Sequence, residues 1–129
     1  MAATATQQII ANGPRNLILK YTIAGTTGDA AAVALVDVSA IDTGIGVNGL
    51  TLTSVQWSLT GCSAQLLWDA TTNIALVECS AGEGSQDYSK FGGIKNNAGT
   101  GATGDVLFTT TGYTAAGDGG HIYLCFRKT

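Results

Sequence analysis

Asn16-Leu17-Ile18-Leu19-Lys20-Tyr21-Thr22-Ile23-Ala24 is the stretch that decides the fold class. In an extended chain Leu17, Leu19, Tyr21 and Ile23 fall on one side, while Ile18, Lys20 and Thr22 fall on the other. A period of two, apolar on one face and mostly polar on the other, marks a strand buried on one side only. Such a face needs a second apolar layer to cover it. The pattern returns at the far end of the chain, from Gly119 to Lys128: Ile122, Leu124 and Phe126 share one face, and His121, Tyr123, Cys125 and Arg127 share the other.

The chain between these two strands is punctuated at short intervals. From Gly49 to Thr60 the apolar parity changes, with Leu50 and Leu52 even but Val55, Trp57 and Leu59 odd, so a bulge is expected near Thr53-Ser54. Ser63 to Trp68 and Thr72 to Cys79 read as a hairpin about Asp69-Ala70-Thr71-Thr72, and Asp105 to Thr111 reads as a further strand. Ala30 to Ile41 is rich in alanine, a good helix former, but Val33, Leu35 and Asp37-Val38 between Gly/Asp turns fit a buried strand better. Asn12-Gly13-Pro14 is a turn signal, and Thr4 to Ala11 before it is an edge strand or an extended arm. Ser80 to Thr103 differs in kind. Gly82, Gly84, Gly92, Gly93, Gly99 and Gly101 interrupt it, and Tyr88, Phe91 and Ile94 are isolated anchors, the pattern of a long loop with a functional role.

Composition agrees with an all-β chain. Of 129 residues only 12% are charged, against about 25% in ordinary domains, and Gly numbers 18 with a single Pro. Helices are starved by this balance, because Gly and β-branched residues form them poorly and their exposed faces need Glu, Lys and Arg. The length suits one core that hides roughly two-thirds of the accessible surface. The expected architecture is therefore a single-domain antiparallel β-sandwich, jelly-roll-like, of about seven or eight short strands. It spans 1–129, with 1–12 an N-terminal arm and 80–103 a long glycine-rich loop.

Charge narrows the partners. A net charge of -3 and a pI near 4.7 argue against nucleic acid, whose binders cluster Lys and Arg against phosphates. Arg15, Lys20, Lys90, Lys95, Arg127 and Lys128 are scattered along the chain, and the one close group, Arg127-Lys128, reads as a solvated chain end. No apolar run approaches the ~20 residues that span a bilayer, and Met1 to Gln8 lacks the pattern of a secretion signal, so no membrane partner and a cytoplasmic origin are expected. Cys62, Cys79 and Cys125 are odd in number and lack metal-ligand spacing, as expected of reduced thiols.

Each candidate for chemistry has a plainer reading. Gly99-Thr100-Gly101-Ala102-Thr103-Gly104 matches G-x-G-x-x-G, but it leads into the strand-like Asp105-Val106-Leu107-Phe108 instead of a helix, which removes the dinucleotide context. His121 is the only histidine, and Gly61-Cys62-Ser63-Ala64-Gln65 lacks the second glycine of a nucleophile elbow. Asp69 and Glu78 flank the hairpin as a carboxylate pair would in a glycosidase, yet Asp69 suits an Asx-type turn and Glu78 a solvent-facing strand position. No calcium-loop pattern occurs, and Trp57 and Trp68 alternate in register with aliphatic neighbours, as core residues do. No catalytic, cofactor-binding or metal residues, and no cofactor, are assigned.

Four segments are similar to small virion proteins of tailed bacteriophages: Asn12-Gly13-Pro14-Arg15-Asn16, Leu67-Trp68-Asp69-Ala70-Thr71, Phe91-Gly92-Gly93-Ile94-Lys95-Asn96-Asn97-Ala98-Gly99 and Thr103-Gly104-Asp105-Val106. Each is short and built from turn residues. The resemblance implies a non-enzymatic decoration, or cement, protein on the exterior of an assembled capsid, with the major capsid protein as partner and a trimer or dimer as its homo-oligomer. A tail, fibre or connector module and a carbohydrate-binding β-sandwich are the alternatives. In the decoration role, Ala2 to Asn12 and Ser80 to Thr103 are expected to carry the contacts.

Overall fold

Leu17, Leu19, Tyr21 and Ile23 are all buried, and Ile122, Leu124 and Phe126 lie beside them. The strands that carry them are adjacent and antiparallel. The computed structural model describes residues 3–25, 27–41, 49–96, 99–115 and 117–128. Among these the strands are β1 (Thr4–Asn12), β2 (Asn16–Ala24), β3 (Val33–Val36), β4 (Leu50–Thr60), β5 (Ser63–Trp68), β6 (Ile74–Cys79), β7 (Gly82–Asp87), β8 (Ile94–Lys95), β9 (Val106–Thr111) and β10 (Gly119–Lys128).

Two antiparallel sheets pack as a β-sandwich. The larger runs β1-β2-β10-β4-β7, with β8 also paired to β4, and the smaller runs β3-β9-β5-β6. The core between them takes Leu19, Val55, Trp57 and Leu124 from one side and Leu66, Trp68, Val106 and Phe108 from the other. Trp68 is fully buried and meets Phe126 across the sandwich with ring centroids 6.5 Å apart, tilted by 52°. Each fully buried large apolar side chain contributes roughly 1.5–3 kcal/mol. Leaving out β1 and β8, the eight other strands counted along the chain lie in the order 1-8-3-6 in one sheet and 2-7-4-5 in the other. That order results when a long antiparallel ribbon of four strand pairs wraps into two layers.

The parity change in β4 is a bulge at Thr53. Cys125 pairs with Ser54 and the next residue, Phe126, pairs with Leu52, so Thr53 is the extra residue. Its hydroxyl donates to the Cys125 carbonyl at 2.9 Å. Within Ala30 to Ile41 the expected strand covers only Val33–Val36, and Val38–Ile41 is a single helical turn. Asp105 Oδ1 accepts the Val38 N–H at 3.0 Å and so occupies one of the orphan donors at the start of that turn.

Two further expectations change. The stretch 80–103 is not one loop: β7 and β8 lie inside it, both paired to β4, with a 3-10 turn at Ser89–Phe91 between them. They raise the strand number from about eight to ten among the described residues. Of the two readings of the N-terminal segment the edge strand holds and the extended arm does not, because Thr4–Asn12 pairs with β2. Among the described residues the smaller sheet has four strands, none of them set over β1, and every residue of β1 except Ala5 is exposed.

Candidate functional site

Registers in the larger sheet bring distant cations to one end of it. Arg127, near the end of β10, pairs with Asn16 at the start of β2 and with Thr51 at the start of β4. Thr51 pairs in turn with Lys95 of β8. The Lys128 N–H donates to the Arg15 carbonyl at 2.6 Å, and the Lys128 ammonium donates to Asn12 Oδ1. The Arg127 guanidinium donates to the Gly92 carbonyl at 3.0 Å, which ties the turn carrying Lys90 to the same end. Neighbouring strands lie ~4.8 Å apart, so Asn16, Arg127, Thr51 and Lys95 span about 14 Å. Five of the six Lys and Arg residues, all but Lys20, therefore share one end of a chain whose net charge is -3.

β1 runs toward this end with an apolar pair. Between Ile9, opposite Leu19, and Ala11, opposite Ile18, the register slips by one residue, so Ile10 is a bulge. Ile9 is 44% and Ile10 50% exposed, two of the three large apolar side chains left in solvent among the described residues, with Val33 the third. β1 has no charged residue and no proline. Edge strands usually carry such groups to prevent pairing with other chains. By contrast β7 carries Glu83 and Asp87, β3 has four residues, and β6 is bulged opposite β5 and carries Glu78.

One carboxylate borders the basic end. Asp87 Oδ1 accepts from the Ser89 hydroxyl at 2.7 Å and the Ser89 N–H at 2.9 Å. These donors, and then the Lys90 charge, hold the Asp87 carboxyl below the ordinary aspartate range. The base so assembled offers the exposed Arg15, Lys90 and Lys95, the half-buried Arg127 and Lys128, two adjacent isoleucines and an unprotected strand edge. Those are the elements of a docking surface for an acidic partner.

The other candidates go elsewhere. The stretch Gly99–Gly104 packs on the β5–β6 turn: the Thr71 N–H donates to the Thr100 carbonyl at 3.1 Å, and the Thr103 hydroxyl to Asp69 Oδ2 at 2.8 Å. Glu78 pairs with Gln65, well along β6 from Asp69. Trp57 and Trp68 are both buried. His121 stands on the outer face of the larger sheet in the row Thr22-His121-Ser58-Glu83, where the carboxylate lies beyond the serine and not against the imidazole. The three cysteines are free thiols, and among the described residues no three His, Cys, Asp or Glu side chains are grouped as metal ligands. Positions 97 and 98 of the glycine-rich stretch lie outside the described residues.

Sequence reading missed the base because positions 15, 90, 95, 127 and 128 become neighbours only through strand pairing. One signal was present: Arg15 precedes the first clear strand and Arg127-Lys128 end the last, so an antiparallel pairing of those strands superposes them. Comparison of the chain with family models, curated proteins and solved structures finds no match in any of the three.

Proposed function

We propose that this chain is a non-enzymatic virion structural protein, a decoration or cement protein that binds the major capsid protein on the outer surface of an assembled phage head. The observation that carries the proposal is the convergence at the base. The N-terminal segment and the glycine-rich stretch, separated by some 70 residues of chain, reach the same end of the larger sheet at its two opposite edges, with Arg15, Arg127 and Lys128 between them. The wrapped strand order, with its two Greek keys, supports a jelly roll as the finer description of the sandwich.

In this account the base faces an acidic patch on the lattice. The cations steer the approach and Ile9 and Ile10 supply the apolar contact, while symmetry multiplies many weak contacts over the head. The test uses heads stripped of this protein, mixed with the full chain and sedimented. The wild-type chain co-sediments to saturation. Ile9→Asp and the pair Lys90→Glu with Lys95→Glu each weaken binding at least tenfold while the free chain keeps its unfolding midpoint. Undiminished binding by both variants would remove the base from the proposal.

A further inference from the structure

The outer face of the larger sheet carries a trough built from three strands. Their registers set three columns side by side: His121, Tyr123 and Cys125 on β10; Ser58, Gln56 and Ser54 on β4; and Glu83, Ser85 and Asp87 on β7. A depression of about 460 Å³ lies over Gln56, Ser58, Glu83, Ser85, His121 and Tyr123. It continues toward Ser54 and Asp87 through a second depression that shares Gln56 and Ser85. From Ser58 to Ser54 the floor extends about 13 Å along the strand.

Each side of the trough has its own chemistry. One wall is aromatic: the His121 and Tyr123 rings meet edge to face with centroids 5.4 Å apart, and the Lys20 ammonium stands 5.8 Å from the centre of the Tyr123 ring. The floor is made of the Gln56 amide and the hydroxyls of Ser54, Ser58 and Ser85, and the far wall is the pair of carboxylates. The floor's side chains are mostly short because serines alternate along β4, and Gly84, facing inward, lets β7 lie close over Trp57.

We infer that this trough binds a neutral carbohydrate chain. A sugar ring presents apolar C–H groups on its faces and a rim of hydroxyls that both donate and accept. The aromatic wall fits the first, and an amide, hydroxyls and carboxylates fit the second. Peptide anchors need apolar pockets, and no side chain in the three columns forms one. Glu83 and Asp87 repel sulfated or uronic-acid polymers and nucleic acid, and the base with its cations lies below the trough. The length of the floor accommodates more than one ring, so the ligand class is an oligosaccharide. The site shares no residue with the cations and isoleucines of the proposed capsid contact and stands independently of the virion reading.

The experiment is a titration of the ¹⁵N-labelled full chain with cellohexaose, laminarihexaose, maltohexaose, mannohexaose and chitohexaose, followed by amide chemical shifts. At least one sugar is expected to shift the signals of Gln56, Ser58, Ser85, His121 and Tyr123 saturably. Tyr123→Ala and, as a variant at an exposed position, Gln56→Ala should each weaken that response at least tenfold, while Ile9→Asp leaves it unchanged. The inference is overturned if no sugar moves these signals, if the shifts map elsewhere, or if the response survives both substitutions.

Discussion

The indole of Trp57 lies against Gly84, its cross-strand partner in β4 and β7, so closely that a Cβ on Gly84 would sit 2.3 Å from Trp57 Cζ2. The indole N–H donates to the Ser80 carbonyl at 2.9 Å, so the tryptophan holds both the entry to β7 and its middle. A glycine-rich segment thus becomes a strand because the neighbouring strand supplies the bulk that it lacks.

Gly84→Ala should therefore cost about 1–3 kcal/mol by overpacking, with no contribution from backbone strain, since Gly84 is absent from the positive-φ glycines. Urea unfolding measures it. In a Trp57→Leu background the same substitution should cost markedly less, because the two residues share one space.

Two other glycines separate steric from backbone effects. Gly120 has φ +148 and a Cβ there would lie 1.9 Å from the Ser58 carbonyl oxygen, whereas Gly92 has φ +87 with nothing within 4 Å. Gly92→Ala should cost only the left-handed backbone penalty of about 1–2 kcal/mol. Gly120→Ala should abolish folding, or cost more than about 4 kcal/mol, because β10 cannot move away from β4 without losing its ladder. Soluble yield and unfolding midpoints distinguish the two.

The three thiols should react in two classes. Burial pushes the Cys79 thiol up to about 12, with the Glu78 charge adding to it, and burial also raises Cys62. Cys125 stands half-exposed on the outer face. With an aromatic disulfide reagent at pH 8, one thiol per chain should react quickly in the native protein and all three after denaturation. Fast reaction of two or more in the native state would contradict the burial assigned to Cys62 and Cys79.

Asp105 should make acidification less harmful than usual. Its carboxyl is raised above the ordinary aspartate value chiefly by burial, with Asp37 and Asp69 adding negative charge, against the opposing donation from Val38. A carboxyl whose folded value lies above its unfolded one contributes stability that is fully present below the unfolded value and is lost as pH rises through the folded value. Asp105→Asn keeps an oxygen for the Val38 N–H, so it should equal or exceed the wild type at pH 7, with the difference shrinking as pH falls toward 3. Asp105→Ala loses the acceptor and should cost about 1 kcal/mol. Chemical unfolding at pH 3 to 8 checks both.

What was legible depended on where the information sits. β2 and β10 were readable because their alternation lies in their own side chains, and the bulge at Thr53 because the apolar parity changes there. β7 was not, since Gly82-Glu83-Gly84-Ser85-Gln86-Asp87 has no apolar period and is a strand only through β4. The trough was half legible. His121 and Tyr123 were seen to share a face, but their opposition to Gln56, Ser58 and Glu83 is a matter of register. For the same reason the basic base looked like scattered charge.

As proposed, this chain coats a phage head in a fixed proportion to the lattice beneath it. Its copy number in purified particles of the phage that encodes it, measured by quantitative mass spectrometry against the major capsid protein, tests that claim most directly. A ratio near one, or a simple fraction of it, is expected. Absence from the particles, or a few copies confined to the tail, would contradict it.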